Sequence, residues 1–265
     1  GTNGFGVTVA ASKGRGNADG NDVTWTNTHV DAGNQVAMTS GGNTTVKGAV
    51  VEASQITANV GGNLSVESLQ DTSQFASKQS SIGGSLTIGA GVSGSISASK
   101  SSANSDFASV TEQSGLKAGD QGFNVNVAKN TDLKGAVISS TDQAILDDKN
   151  SLTTATLTQG DIQNHSNASA KSSGISLSSD MLTQGKYGLA KAAIGNGLNN
   201  SKESDASTGV TRSAIQGATV NITDDAAQQA LTGKTAAQTV AGLNTDTANA
   251  QTAARKLDLQ AMERT

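Results

Sequence analysis

The chain has 265 residues, of which 34% are hydrophobic and 2% aromatic. An ordinary globular domain is about 45–50% apolar, so large side chains are too few for the thick core of a compact enzyme. The absence of Pro and the low charged fraction argue against disorder, and the absence of Cys excludes disulfides and thiolate metal sites. Because 18 basic residues are set against 22 acidic ones, we expect no basic stripe and no nucleic-acid partner. The composition favours a thin, extended fold built from repeats.

A short repeat is visible in the first third of the chain. The triplet Gly41–Asn43 recurs as Gly61–Asn63. The same step relates Val36 to Ile56, Val46 to Val66, and Lys47 to Glu67. This spacing predicts the rungs of a parallel β-helix, with the valines stacked inside, the asparagines in a corner ladder and the charged pair outside. Chance similarity in a Gly- and Asn-rich chain is the alternative.

A longer period accompanies the first. The segment Asn43–Val51 matches Asn130–Ile138, and a fainter third copy follows. Each unit opens with an alternating strand, passes through a Ser/Asn-rich loop and returns to rung-like sequence. We therefore predict an all-β fold, a parallel β-helix (β-solenoid) over 1–223, made of three tandem units at about 1–79, 80–172 and 173–223.

The most regular local feature is the segment from Ile82 to Ala98. Its even positions are apolar residues or glycine, and its odd positions are all Gly, Ser or Thr. Strict alternation of this kind is typical of a β-strand with one apolar face. At ~3.3 Å per residue it would extend about 55 Å, which is too long for one rung. We expect it either to bend at Gly89–Gly91 or to project as a long hairpin.

Two roles are open for the apolar face of this segment. Packing against the solenoid is the simpler interpretation. Outer-membrane strands show the same alternation, with apolar residues towards lipid and small polar residues on the other side. In that case the membrane-facing residues are Leu86, Ile88, Val92 and Ile96.

The C-terminal segment, 224–265, differs from the rest and predicts a short helical region. Thr223 is placed to cap a helix that opens with two aspartates, and Thr235 with Gln238 fits a capping box. Small apolar residues then follow steps of four and three from Ala236 to Ala261, the pattern of a coiled-coil seam. A helix that caps the end of the solenoid is the favoured interpretation, and a partner-binding coiled coil is the alternative.

No pattern indicates catalysis, a cofactor or a metal. His29 and His165 lie far apart in the sequence, whereas metal sites and nucleophile activation need convergent groups. Ser97 and Lys100 match a Ser-x-x-Lys spacing, but residues three apart on a strand point to opposite sides. The sequence Gly233–Thr235 lacks the earlier glycine of a phosphate-binding loop. We therefore expect no enzyme activity.

Several long words of the sequence resemble the haemagglutinin repeats in the C-terminal half of CdiA-like proteins, which are filamentous-haemagglutinin family exoproteins of Gram-negative bacteria. The words are Val110–Ser114, Asn130–Ile138, Asn150–Thr154, Asp161–Ser166 and Ala226–Thr235. The resemblance covers essentially the whole chain. It implies a β-helical, secreted cell-surface filament that is exported through a two-partner secretion outer-membrane pore.

The resemblance also implies a role in contact-dependent growth inhibition. In such proteins the second haemagglutinin-repeat region associates with the recipient outer membrane or its proteins and helps to deliver a C-terminal toxin domain carried in cis. Segment 224–265 would then lead towards the toxin. Neither the Val-Glu-Asn-Asn boundary of the family nor a toxin domain occurs in these residues, so no toxin activity is assigned to them. A passive filament stalk or adhesin module is the alternative function.

Overall fold

The fold is taken from a computed structural model, and the structure describes residues 7–88, 92–178 and 198–256. Within these ranges the chain forms two β-sheets and three short helices. The strands are β1 (Val7–Val23), β2 (Thr28–Ser40), β3 (Thr44–Lys47), β4 (Ala49–Val60), β5 (Leu64–Glu67), β6 (Gln70–Ile88), β7 (Val92–Val110), β8 (Gly115–Lys134), β9 (Val137–Ser139), β10 (Ser151–Gly160), β11 (Ile162–Ser178), β12 (Leu198–Thr211), β13 (Ala214–Ile215) and β14 (Thr219–Ile222). The helices are α1 (Asp142–Leu146), α2 (Asp225–Thr232) and α3 (Ala236–Ala241). None of these helices is long and apolar enough to cross a membrane.

Nine strands form the parallel sheet, which consists of β2–β5, β8–β10, β13 and β14, and all its pairings are parallel. The predicted short repeat is confirmed, because Val46 lies opposite Val66. The predicted asparagine ladder is also present, since the Asn63 amide donates to Asn43 Oδ1 at 2.8 Å. Lys47 Nζ lies 3.2 Å from a Glu67 carboxylate oxygen.

The hydrophobic core lies in the parallel sheet. Val46 is buried while its neighbour Thr45 is exposed, so the inside and outside positions of β3 follow the predicted phase. Phe123 is the one aromatic side chain among the fully buried residues that the structure describes. The other large side chains of the core are aliphatic: Val50, Ile56, Leu64, Val66, Leu116, Leu133, Ile138, Leu152, Leu157 and Ile215. A narrow cross-section can be filled by such residues, which agrees with the composition.

The antiparallel sheet contains the long strands in the order β1-β6-β7-β11-β12. The predicted alternating segment forms a hairpin rather than one strand, because β6 and β7 pair along their lengths and Ile88 lies opposite Val92. The predicted bend at 89–91 lies outside the described residues. The all-β class and the hairpin-like alternating strands are confirmed. A parallel β-helix over the whole of 1–223 is not, because the antiparallel sheet contains five of the strands in this range. The Ser- and Gly-rich segments are too long for a rung, and they pair with one another instead.

The two hairpins are inserted between strands of the parallel sheet. Segment 70–110 separates β5 from β8, and segment 162–211 separates β10 from β13. The Asn130 amide donates to Asn63 Oδ1 at 3.0 Å and so continues the ladder that Asn43 begins. The longer sequence repeat therefore relates strands that are two positions apart in the parallel sheet. A hairpin lies between them in the sequence. The predicted unit limits at 79/80 and 172/173 fall inside β6 and β11, and the division into three units stays a prediction.

The C-terminal helices differ from the expectation in two respects. Asp224, rather than Thr223, caps α2, and its side chain accepts from the Ala227 amide at 2.9 Å. The capping box of Thr235 and Gln238 is confirmed. The seam that was predicted to run to Ala261 is wrong, because α3 ends at Ala241 and residues 242–256 are not helical.

The end of α3 has a local cause. Gly242 follows the helix, and the next segment is rich in residues that form turns. The Asn249 amide donates to an Asp246 carboxylate oxygen at 3.0 Å. Hydrogen bonds from Asn249 hold the pKa of the Asp246 carboxyl below its ordinary value. Residues 257–265, which include Ala261, lie outside the described residues.

Candidate functional site

The register of the antiparallel sheet places its apolar residues on one face. In β6 and β7, Ile82 lies opposite Ala98 and Ile88 opposite Val92, so the even positions of both strands share that face. Val9 of β1 lies opposite Leu86, which adds the odd positions of β1. We call the set the apolar patch; it comprises Val7, Val9, Ala11, Ile82, Leu86, Ile88, Val92, Ile96, Ala98, Ile175 and Leu177.

The apolar patch is open to solvent. Its large side chains are between 45% and 70% exposed, with only Leu177 half-buried. The expectation that this face packs against the solenoid is therefore wrong, because the hairpins extend beyond the core of the parallel sheet. Contiguous exposed apolar surface usually marks a contact with another molecule. The apolar patch is the strongest candidate for a functional surface.

Behind the apolar patch, the opposite face of β1, β6 and β7 consists of Gly, Ala, Ser and Thr residues and is uncharged. Serine and threonine hydroxyls there pair across neighbouring strands, as between Ser85 and Ser95 at 2.8 Å and between Ser81 and Ser99 at 2.7 Å. A third pair joins Thr8 to Thr87 at 2.8 Å. The antiparallel sheet is thus amphipathic across its thickness.

A group of positive charges borders the apolar patch on its own face. Lys78, Lys171 and Lys202 occupy one row across the sheet, with Ser102 between the first two. The next row towards the patch contains Arg15 and Lys100, opposite Ser80 on either side. Lys13 follows, opposite Ile82. We call these six residues the basic band: Lys13, Arg15, Lys78, Lys100, Lys171 and Lys202.

The basic band lines a groove with a volume of about 620 Å³. A second groove of about 510 Å³ lies where the band meets the apolar residues Ile82, Ala98 and Ile175. All six cations are exposed, and within the described ranges none of them forms an ion pair. The expectation of no basic stripe is therefore wrong. Overall composition concealed it, because the six residues are spread between positions 13 and 202.

Lysines of the parallel sheet, in contrast to those of the basic band, form ion pairs. Lys47 and Lys134 both contact Glu67, at 3.2 and 3.5 Å, and Lys117 lies 3.9 Å from Glu52. On the face of the basic band, the first acidic positions are Asp19 and Asp106, one and two rows further from the apolar patch. Asp106 itself pairs with His165 at 3.0 Å. Positive charge is therefore concentrated next to the apolar patch.

The residues considered for catalysis do not converge. His29 contacts Glu112 at 2.9 Å and His165 contacts Asp106 at 3.0 Å, so the two histidines belong to separate pairs. Ser97 and Lys100 lie on opposite faces of β7, as the strand geometry requires. Among the described residues there is no group of three His, Asp or Glu side chains that could hold a metal ion.

Comparison with known proteins points to one family. A model of the "Hemagglutinin repeat" matches residues 1–82. The chain is 41% identical over 259 residues to the "Toxin CdiA" of Escherichia coli, a match that spans 94% of this chain and 8% of that protein. It is 38% identical over 260 residues to the "Deoxyribonuclease CdiA" of Dickeya dadantii, spanning 94% of this chain and 7% of that protein. This is a filamentous-haemagglutinin/CdiA-like repeat region.

The repeat region corresponds to a small part of its relatives. A "tRNA nuclease CdiA" of Escherichia coli is 39% identical over 249 residues, which span 92% of the repeat region and 7% of that protein. Relatives that are named for different nucleases thus share this segment. The repeat region is a segment of a secreted bacterial cell-surface exoprotein. No solved structure matches it.

Proposed function

We propose that the repeat region is a non-catalytic segment that associates with the outer membrane of a target cell and helps to deliver a C-terminal toxin carried in cis. The observation that supports this proposal is the apolar patch, which is exposed on long hairpins beyond the core. Export of the exoprotein through a two-partner secretion pore belongs to the same proposal. The names of the relatives, which include "Toxin CdiA", agree with it.

The dimensions of the apolar patch suit a membrane surface. From Ile88 to Ile82 the patch extends about 20 Å along β6 at ~3.3 Å per residue. The hydrocarbon of one leaflet is about 15 Å thick, half of the ~30 Å core. Among the described strands, β1 and β12 are the ends of the antiparallel sheet, and they would expose unpaired backbone groups to lipid. A single copy is therefore better suited to lie at the interface than to span it.

The parallel sheet supports a second role. We propose that it winds as a β-helix, because successive strands pair in register and the same asparagine corner returns at Asn43, Asn63 and Asn130. Such a stack makes a stiff stalk, and a passive filament or adhesin module is therefore the competing function. The two functions differ in what the apolar patch does, since a stalk needs no membrane contact.

The test substitutes two pairs of neighbouring residues of β7, one pair on each face of the sheet. The double variant Val92→Gln/Ile96→Gln reduces the apolar patch, and Ser93→Gln/Ser97→Gln places the same side chain on the polar face. All four positions are exposed, so both variants should keep the parent's free energy of unfolding within about 0.5 kcal/mol. We expect only the first variant to lose association with outer-membrane vesicles and toxin delivery by the full exoprotein.

Urea denaturation, vesicle flotation and a co-culture delivery assay measure these effects. If the parent does not float with vesicles, or if both variants float as the parent does, the apolar patch is not a membrane contact and the stalk function is favoured. If Val92→Gln/Ile96→Gln unfolds the soluble protein, the patch is part of a core and the proposal fails.

A further inference from the structure

We infer that the basic band binds the phosphate groups of anionic lipids while the apolar patch lies against their acyl chains. This inference rests on the proposed membrane association and adds the chemistry of the lipid that is bound. The register supports it, because the band lies on the same face as the apolar patch and begins in the row of Ile82, where that patch ends. In a lipid layer the charged headgroups likewise lie next to the apolar acyl chains, so charged and apolar groups follow in the same order.

Within 7–88, 92–178 and 198–256, no carboxylate forms an ion pair with a cation of the band, and this argues for a ligand. Lys171 lies directly opposite Lys202, and like charges in that position destabilise a sheet. A carboxylate partner would relieve the repulsion, as Glu67 does for the lysines of the parallel sheet. The antiparallel sheet offers no such partner to the band within the described residues. An external anion would fill the same role.

Protection of a sheet edge does not explain the band. Lysines on edge strands commonly prevent sheets from pairing with other chains. Lys78, Lys100 and Lys171 lie on the interior strands β6, β7 and β11, where both neighbours are already present. Their groove is lined on the patch side by Ser80 and Ser173, whose hydroxyls can donate further hydrogen bonds to phosphate oxygens.

Lipid fits the surface better than nucleic acid, the other common polyanion. Single-stranded nucleic acid is usually bound by cations interleaved with aromatic stacking platforms. Among the described residues that line the two grooves of the band there is no aromatic side chain, whereas Ile82 and Ile175 are present. The neighbouring apolar side chains have a natural partner in acyl chains and none in a phosphodiester backbone.

The test compares vesicles of phosphatidylcholine with vesicles in which part of it is replaced by phosphatidylglycerol. The band variant Lys78→Gln/Lys171→Gln/Lys202→Gln removes three charges from one row. The matched control Lys129→Gln/Arg212→Gln/Lys234→Gln removes three exposed cations that lie outside the antiparallel-sheet face of the band. Each lysine near an anionic membrane contributes roughly a fivefold factor to binding, so the band variant should bind the phosphatidylglycerol vesicles about a hundredfold more weakly. The control should bind as the parent does.

Salt and two soluble anions complete the experiment. Raising salt from about 0.1 M to about 1 M shortens the screening length from about 10 Å to about 3 Å and should weaken binding of the parent to phosphatidylglycerol vesicles. Inorganic phosphate and a DNA duplex are the competing ligands. Binding of the duplex as tight as that of the vesicles, or saturation of the band by inorganic phosphate at the same concentration as lipid, would overturn the assignment to lipid.

The outcomes separate this inference from the proposed function. If the parent binds both kinds of vesicle equally and the Val92→Gln/Ile96→Gln variant abolishes both, membrane association stands and the basic band has no role in it. If the band variant binds phosphatidylglycerol vesicles as the parent does, the inference is wrong. If the parent binds neither kind of vesicle, the proposed function and the inference fail together.

Discussion

Single side chains supply hydrogen-bond partners to backbone groups at the edges of the parallel sheet. The parallel sheet ends in strands whose backbone groups need partners, and unpaired edges favour aggregation. Gln228 of α2 is fully buried and meets this need at β10: its Oε1 accepts from the Leu157 amide at 2.8 Å, and its Nε2 donates to the Leu157 carbonyl at 2.9 Å. One side-chain amide thereby replaces a residue of a neighbouring strand.

The pair Gln228 and Gln229 gives a matched test of this contact. Gln228→Ala leaves the buried N–H and C=O of Leu157 without partners, and we expect a loss of about 2–4 kcal/mol in the free energy of unfolding. Gln229 is exposed on the same helix, so Gln229→Ala should change that free energy by less than about 0.5 kcal/mol. Urea denaturation of the two variants measures the difference. Equal changes in the two variants would show that the hydrogen bonds of Gln228 to Leu157 do not stabilise the fold.

At the scale of elements, local pairings were predictable and distant pairings were not. The step from β3 to β5 is visible because the same pattern returns one rung later, with Val46 matched by Val66. The register of β1 with β6 was not visible, since serine and glycine strands without a buried face specify register weakly. The role of the apolar patch stayed open at the level of sequence, because alternation shows that a strand has an apolar face but not what covers that face.

The basic band shows where the missing information lies. Each cation shares the parity of the apolar residues in its own strand, as Lys13 does with Ala11 and Lys100 with Ala98. That signal is present in the sequence and could have indicated that charge and apolar side chains share a face. Only the pairing of β7 with both β6 and β11 brings Lys78 and Lys171 into one row.

The segment after α3 links the two sheets. Ala250 packs with Val137 and Ala214 of the parallel sheet. Further along, the Gln251 side chain donates to the Val110 carbonyl at 2.7 Å, and the Ala254 amide donates to Ser109 Oγ at 3.0 Å. This short segment therefore fastens the base of the antiparallel sheet on its polar face. Arg255 of this segment also forms an ion pair with Asp205 at 2.7 Å.

Adjacent alanines test that attachment. Ala254 is buried and Ala253 is exposed, so Ala254→Asp places a carboxylate against the sheet whereas Ala253→Asp points it to water. We expect Ala254→Asp to speed amide hydrogen exchange at residues 103–110 of β7 by tenfold or more, and Ala253→Asp to leave it unchanged. Similar exchange in both variants would mean that the segment does not stabilise the sheet.

At the scale of the whole molecule, stability and binding surface are separated. The parallel sheet contains the buried core, whereas the outer parts of the hairpins expose the apolar patch on one face and hydroxyl pairs on the other. Regions with few buried apolar contacts open locally at a small fraction of the global free energy. The proposed membrane-binding surface is thereby attached to a rigid base, while the surface itself can open locally.

Hydrogen exchange along the whole chain tests this separation. In the free protein, amides in 80–88 and 92–100 should exchange faster than those in 44–67 and 115–133, because backbone pairing alone protects the outer hairpin. On addition of phosphatidylglycerol-containing vesicles, exchange should slow in 80–88 and 92–100, since lipid replaces water over the apolar patch, and stay constant in the parallel sheet. Val92→Gln/Ile96→Gln should show the fast exchange with and without vesicles. Slow exchange of the outer hairpin in the free protein would indicate a core that covers it, and protection gained in the parallel sheet would move the membrane contact away from the apolar patch.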